Sequence, residues 1–302
     1  MSEIETIIYD EQDKGSRLDK YLGDSFSDVS RSHFQKMISQ GLILVNGEIK
    51  NSKYLLRTDD EIVILQEPVQ HIEIKAVNIP LDILYEDDDV IVVNKPKGMV
   101  VHPAPGHFED TLVNALMYHC KGSLSGINGQ LRPGIVHRID MDTTGSLIAC
   151  KNDIAHNSLA EQLKIHSINR IYEGIVIGTI NEEEGTIDKP IGRSPKDRKK
   201  MAIVPGKKEA ITHFKVLKRF DGYTYVQFKL ETGRTHQIRV HMASIGHPLL
   251  GDKVYGPEKC KFKLQGQTLH AKTLGFIHPV SNEYIEINAP LPDYFQKLLN
   301  DL

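Results

Sequence analysis

The sequence predicts an α+β protein in two parts: a small helix-helix-hairpin module near the amino terminus, and a larger domain on a mixed, mainly antiparallel sheet. Three observations carry this. Strand-like segments outnumber helical ones after residue 80. They do not alternate with helices in the regular order that a parallel, doubly wound sheet requires. Residues 15–66 hold a self-contained pattern, followed by an aperiodic stretch that ends at Pro80. A length of 302 residues fits two domains at roughly 100–200 residues each. The expected division is 15–66 for the first domain, 67–80 for a linker and 81–302 for the second.

In the first part, "GSRLDKYLGDSF" places Leu18 and Leu22 at helical spacing. "SRSHFQKMISQG" opens with Ser30 as an N-cap, repeats Phe34, Met37 and Ile38 on one face, and stops at Gly41. "LILVNGEIK" reads as a short strand, a tight Asn46-Gly47 turn and a second strand, with "DEIVIL" as a third. Arg17, Lys20, Arg31, Lys36, Lys50, Lys53 and Arg57 are expected on an open face, against Asp19, Asp24, Asp28 and Glu48. That excess suits a phosphate backbone.

After Pro80, "ILYEDDDVIVVNKPKGMVVHPAPG" gives a strand, an acidic turn, the apolar strand VIVV and a Pro/Gly-rich loop. "RIYEGIVIGTI", "ITHFKVLKRF", "YTYVQFKLE" and "EYIEINA" are strands by their β-branched and aromatic content. In the third of these, Val226, Phe228 and Leu230 alternate with Tyr225, Gln227 and Lys229, the pattern of a half-buried antiparallel strand. Helices are expected near 111–120, near 155–166, from Thr235 to Gly246, and at "DYFQKLLN".

The composition is that of a folded globular chain, with 40% hydrophobic and 25% charged residues. Cys120, Cys150 and Cys260 are odd in number and without CxxC spacing, so neither a disulfide framework nor a zinc site is supported and a reducing, cytoplasmic setting fits. The acidic start has no signal-peptide pattern, and no apolar run approaches the ~20 residues of a spanning helix. The net charge of −3 conceals an asymmetry. Residues 59–89 carry ten acidic side chains against Lys75, whereas 193–219 carry ten Lys or Arg against Asp197 and Glu209. Arg193, Lys196, Arg198, Lys199 and Lys200, together with Arg234, are the candidate polyanion contacts there.

Chemistry concentrates in "IVHRIDMDTTGSLIACK", residues 135–151, where His137, Arg138, Asp140 and Asp142 sit between apolar stretches. A salt-linked turn is the simplest use of such a stretch. A phosphotransfer loop is excluded, because the order is His-Arg-Ile-Asp and no Gly-rich loop, DFG or APE accompanies it. The fourteen histidines are scattered, and His236 and His241 are five apart, so no metal is implied. What remains is a carboxylate on a turn with a basic partner. In "ETGRTHQIRVHMASIGHPLLGDKVYG", Thr235 is placed to cap a helix whose apolar stripe is Ile238, Met242 and Ile245. Arg239 lies beside that stripe, and a half-buried Arg of this kind takes a carboxylate.

These segments carry two resemblances. "SRLDKYL", "SRSHFQKMISQGLILVNGEI" and "DEIVI" resemble the αL RNA-binding domain of a small-subunit ribosomal protein, which is appended to several RNA-modifying enzymes. "NKPKGMVVHPAPG", "HRIDMDTTGSLIACK", "RIYEGIVIG" and "TGRTHQIRVHMASIGHPLLGDKVYG" resemble the RluA family of RNA pseudouridine synthases, and the module order its large-subunit ribosomal RNA branch. The family often has Leu at Ile139 and an aliphatic residue at Ser146, and neither difference touches the chemistry.

The resemblance implies a pseudouridine synthase catalytic fold, with Asp140 as catalytic aspartate, Tyr172 as the aromatic residue of the active site and Arg239 as the partner of Asp140. Arg138 is implied to enter the RNA stack when the target uridine leaves it. The expected partner is ribosomal RNA or an assembling large ribosomal subunit, engaged by a cytoplasmic monomer without a cofactor, a metal or a membrane. A non-catalytic RNA-binding or ribosome-assembly factor that retains the fold is the alternative. Nucleoside hydrolysis by the same carboxylate is the third reading; it would release free uracil and would not need an RNA-binding module.

Overall fold

The computed structural model describes residues 3–10, 15–26, 29–65, 74–129, 131–197 and 200–302. The chain divides into two compact units, Met1–His71 and Ile72–Leu302. Among the described residues, no helix is long and apolar enough to cross a membrane.

The first unit runs β1 (Glu3–Ile8), α1 (Leu18–Ser25), α2 (Arg31–Ser39), β2 (Ile43–Val45), β3 (Glu48–Ile49) and β4 (Glu61–Leu65). Ser30 caps α2, its side chain accepting from the backbone N–H of His33. Asn46 and Gly47 both have positive φ, 53° and 75°, as a tight hairpin turn between β2 and β3 requires. Leu18, Leu22, Phe34, Met37 and Ile38 pack from the helices onto Ile43, Val45, Ile62 and Ile64 of the strands. One strand was not anticipated. β1 pairs antiparallel with β4, giving the sheet order β1-β4-β2-β3. Its sequence EIETII, which sets Glu3 and Glu5 among its few apolar residues, offers one short apolar pair and little periodicity.

The charged face of this unit also differs from expectation. Asp19 is fully buried and accepts from Arg17, Arg31 and Gln35. Burial raises its pKa, but those hydrogen bonds outweigh it and hold the carboxyl below its ordinary value. Arg17 and Arg31 are therefore pinned to the scaffold, and Lys50 pairs with Glu48. Lys20, Lys36, Lys53 and Arg57 are exposed.

The second unit runs β5 (Ile83–Glu86), β6 (Val90–Lys95), α3 (Leu112–His119), β7 (Thr144–Cys150), α4 (Asp153–Lys164), β8 (Asn169–Ile177), β9 (Glu184–Asp188), β10 (Ile191–Arg193), β11 (Met201–Ile203), β12 (Ile211–Phe220), β13 (Tyr223–Leu230), α5 (Gln237–Ser244), β14 (Leu269–Ile277), β15 (Tyr284–Asn288) and α6 (Asp293–Asp301). Among the described residues, nine strands form one sheet in the order β5-β6-β7-β14-β8-β13-β12-β9, with β15 on β14. β7 and β14 are parallel, and the other pairs are antiparallel. β10 and β11 form a separate ribbon.

β6 and β7 carry the unbroken apolar runs 90–93 and 147–150 because both of their faces are covered. Ile91, Val93, Leu147 and Ala149 pack with Leu112, Val113 and Leu116 of α3. Val90, Val92, Ile148 and Cys150 pack with Ala155 and Leu159 of α4. The linker expected at 67–80 needs correction in its second half, residues 67–73 lying outside those described. Ile74 is buried in the same core as α3, and Val77 N–H donates to Asn114 O at 3.0 Å. Residues 74–80 thus belong to the second unit.

Candidate active site

Asp140 lies on the loop that leads into β7, and that loop is held from below. Lys95, fully buried at the end of β6, donates to the carbonyls of Pro96, Met99 and Met141 at 2.8–2.9 Å. Gly98 N–H adds a second bond to Met141 O, and Thr143 N–H donates back to Asp140 O. The loop ends where β7 meets β14 at Gly145. A Cβ there would stand 2.3 Å from Ala271 O, and its φ of +107° lies where side chains are disfavoured. Only glycine permits that approach.

The carboxylate of Asp140 meets Arg239 of α5, whose Nη1 donates to Asp140 Oδ2 at 2.9 Å. The other edge of the guanidinium is taken by Asp252, with Nε to Oδ2 at 2.7 Å and Nη2 to Oδ1 at 2.9 Å. Asp252 is itself buried and accepts from the backbone N–H of Val254 and Tyr255. Burial works against both charges. For Arg239, the bonds and charges of Asp252 and Asp140 outweigh it and raise the pKa above its ordinary value. For Asp252, the guanidinium and the two backbone donors lower the carboxyl below the usual range. Asp140 is the more open carboxylate, with 25% of its side chain exposed against 0% for Asp252.

The helix bearing Arg239 does not begin as its sequence suggests. Thr235 was expected as the cap, but the N-cap is His236, in left-handed conformation at φ 58° and without a side-chain cap. Thr235 Oγ1 accepts from Arg138 Nη2 at 3.0 Å instead. His236 Nδ1 is bonded to Tyr255 Oη at 2.8 Å, and its Nε2 is 3.9 Å from Asp140 Oδ1. Burial holds the His236 imidazole below its ordinary pKa.

Asp140, Arg138, Tyr172 and Arg239, singled out separately along the sequence, line one cavity of about 840 Å³. Tyr172, from β8, is 8% exposed, and burial pushes its phenol above the ordinary value. Beside this cavity runs a groove of about 520 Å³ lined by Arg193, Lys207, Lys208, Arg234 and Thr235. Arg234 borders both, its Nε donating to Glu209 O. Lys196 and Lys200 are exposed between β10 and β11. Arg198 and Lys199 lie outside the described residues.

Several residues of the site had not been picked out: Lys95, Arg170, His236, Asp252 and Tyr255. The only sequence signal for Asp252 and Tyr255 is "GDKVYG", a polar turn after an apolar run. A possible metal cluster had not been foreseen either. Asp87, Asp89 and His278 bring their ligand atoms within 4.8 Å of one another. His278 Nδ1 accepts from the N–H groups of Val280 and Ser281, so Nε2 carries the proton that it donates to Asp87. That tautomer presents no lone pair to a cation.

Comparison with known proteins agrees with this architecture. A family model described as RNA pseudouridylate synthase matches residues 89–244, and an S4 domain matches residues 16–62. The chain is 49% identical over 302 residues to the uncharacterized RNA pseudouridine synthase YlyB of Bacillus subtilis, covering 100% of this chain and 99% of that one. It is 44% identical over 313 residues to ribosomal large subunit pseudouridine synthase D of Zymomonas mobilis, covering 99% and 97%. Among solved structures, human RNA pseudouridylate synthase domain containing 1 superposes with a TM-score of 0.58 at 28% identity, covering 75% of this chain and 87% of that one. Family model, full-length relatives and fold agree, and the chain belongs to the RNA pseudouridine synthases, isomerases that act on uridine in RNA.

Proposed function

We propose that this enzyme isomerises specific uridines of large-subunit ribosomal RNA, free or in an assembling subunit, with Asp140 as the catalytic carboxylate and no cofactor. The observation that carries the reading is the 2.9 Å bond from Arg239 to Asp140 inside a cavity that also holds Tyr172 and Arg138. The names of the relatives supply the ribosomal substrate.

The reaction breaks the bond from ribose C1′ to uracil N1 and joins C1′ to C5. The C5 hydrogen leaves as a proton, N1 takes up another, and the mass is unchanged. An ionised carboxylate beside the sugar serves either as nucleophile or as base, and Arg239 favours the ionised form. Tyr172 lies against the uracil face. Because a stacked base cannot turn in place, it is extruded into the cavity, and Arg138 at the rim fills the gap. The groove with Arg193, Lys207, Lys208 and Arg234 carries the strand on one side of the target, and Lys196, Arg198, Lys199 and Lys200 extend that contact. The amino-terminal unit, residues 15–66 with Lys20, Lys36, Lys53 and Arg57 exposed, adds affinity for RNA; Arg17, Arg31 and Lys50 contribute only what their internal pairs leave free. The working form is a cytoplasmic monomer. Mapping pseudouridines in ribosomal RNA from cells lacking this chain, with and without its restoration, tests the reading. Unchanged large-subunit positions would refute the ribosomal assignment.

A further inference from the structure

Among the described residues of the cavity, Arg170 is the one buried charge without a protein counterpart. It is 7% exposed, and among the described residues no carboxylate lies within ion-pair distance of it. Nη2 donates to the backbone carbonyl of Glu231 at 2.7 Å, while Nε, buried, has no hydrogen-bond partner. Arg239, at similar burial, has two carboxylates. An arginine taken out of water without a counter-ion is strongly disfavoured, so its retention in a cavity points to an anion that arrives.

The surroundings define that anion. Among the described residues, six Lys or Arg side chains line the cavity, namely Arg132, Arg138, Lys164, Arg170, Arg234 and Arg239, and Asp140 is the one acidic lining residue. Burial presses the Arg170 pKa downward, Tyr172 acts the other way, and Arg234, on the loop before α5, repels the guanidinium and adds to the lowering. Gly233 keeps the approach open: a Cβ there would stand 2.7 Å from Arg170 Nη1. Arg170 and Tyr172 are i and i+2 on β8, hence on the same face, about 7 Å apart along the strand. A nucleotide whose uracil lies against Tyr172 extends its own sugar-phosphate over that distance.

We infer that Arg170 is the binding residue for a phosphodiester of the nucleotide being isomerised, through Nη1, which makes no hydrogen bond among the described residues and, unlike Nε, is not sealed from the cavity. The inference rests on the reading that this cavity receives the uridine. Its readout is binding, so an active Asp140→Asn enzyme would sink that reading without changing the result here.

The test measures binding of a fluorescent seven-nucleotide oligouridylate to the full chain across a series of salt concentrations, with thermal melting alongside. Arg170→Met, which keeps the aliphatic stem, is expected to melt no lower than wild type, since it removes a buried unpaired charge. It should bind about tenfold more weakly, and its log-log salt slope should be shallower by about 0.7, one single-strand phosphate contact. Arg170→Lys should keep the wild-type slope and lose only affinity. An Arg170→Met variant that unfolds or melts lower makes Arg170 a structural cation and overturns the proposal. So does an unchanged slope in a variant that melts like wild type, which would assign Arg170 to uncharged uracil oxygens. A shallower slope in Arg170→Lys overturns it as well.

Discussion

Asp252 takes two of the three guanidinium nitrogens of Arg239, at 2.7 and 2.9 Å, and leaves only Nη1 for Asp140. Asp252, with no exposed side-chain surface, fixes the plane of the guanidinium, and the more open Asp140 receives one directed bond from it. Asp252→Asn is expected to leave a folded enzyme in which Arg239 is less firmly aimed. It should lower kcat about 10- to 100-fold with little change in KM, as misplacing a catalytic group does, and lower stability by about 3 kcal/mol for breaking a buried pair. Steady-state kinetics beside thermal melting separates the two effects. Unchanged kcat in a destabilised variant would reduce Asp252 to a scaffold residue.

Asp140→Asn keeps the shape of the side chain and removes its charge. The variant should fold, bind RNA with near-unchanged affinity and form no detectable pseudouridine. Asp140→Ala should be the less stable of the two, because it leaves a gap beside Arg239. Asp142 is the control. Its Oδ1 is buried without a partner, its Oδ2 sits where a Cβ on Gly266 would be only 2.1 Å away, and among the described residues the carboxylates that pair with Arg239 are Asp140 and Asp252. Release of hydrogen from C5-labelled uridine reads both variants; an inactive Asp142→Asn beside an active Asp140→Asn would show the wrong carboxylate had been chosen.

Arg138 reaches across the cavity rim to Thr235 and is otherwise exposed. If it fills the vacated stack, Arg138→Ala should slow turnover most on a stable stem and least on an unstructured strand, where extrusion costs little. Equal losses on both substrates would make the Thr235 contact its main role.

Much of this was legible because the relevant signals are local. The Ser30 cap, the Asn46-Gly47 turn, and the alternation of Val226, Phe228 and Leu230 each depend on a few neighbouring residues. β14 escaped because His270 and Lys272 interrupt its apolar pattern, and they are tolerated only because Thr144 and Ala289 satisfy them. The Arg239 partner was legible as some carboxylate; that it has two was not. Asp252 lies thirteen residues further on, past the end of α5, and no sequence period connects it to Arg239. Thr235 failed as a cap because the left-handed His236 redirects the chain.

The boundary between the units can be measured. A fragment beginning at Ile74 keeps that side chain in the core and the Val77–Asn114 hydrogen bond; one beginning at Leu81 loses both. The longer fragment is expected to be more stable by about 2–3 kcal/mol, the burial of one large aliphatic side chain with one hydrogen bond. Both should show a shallower salt dependence of RNA binding than the full chain. Equal melting of the two fragments would return residues 74–80 to the role of a tether.

His270 is expected to make the loop that carries Asp140 sensitive to acid. It is fully buried on β14, where it faces Thr144 at the start of β7 in the parallel pair that closes the loop. Nδ1 is bonded to Thr144 Oγ1 at 2.8 Å and Nε2 to the carbonyl of Ala289 at 3.3 Å, a pattern that a neutral imidazole satisfies with one N–H. Burial holds its pKa down to about 4, with Lys272 adding to the effect. In the unfolded chain the group titrates near its ordinary value, about 6.5. Between those two values the unfolded state binds the extra proton, so stability rises with pH across that window and is lost as pH falls from about 6.5 to 4. The full loss is about 3 kcal/mol. His270→Asn preserves an acceptor for Thr144 but has no proton to gain. It should be less stable than wild type at pH 8, because the smaller side chain packs poorly. That deficit should shrink by up to about 3 kcal/mol as pH falls to 4, since only wild type pays to keep the imidazole neutral. Urea unfolding of both proteins at pH 8, 6 and 4 measures the difference directly, and the comparison cancels the carboxylates and other histidines that titrate alike in the two. A deficit that stays constant with pH would mean His270 charges in place, with Thr144 turning its hydroxyl to accept.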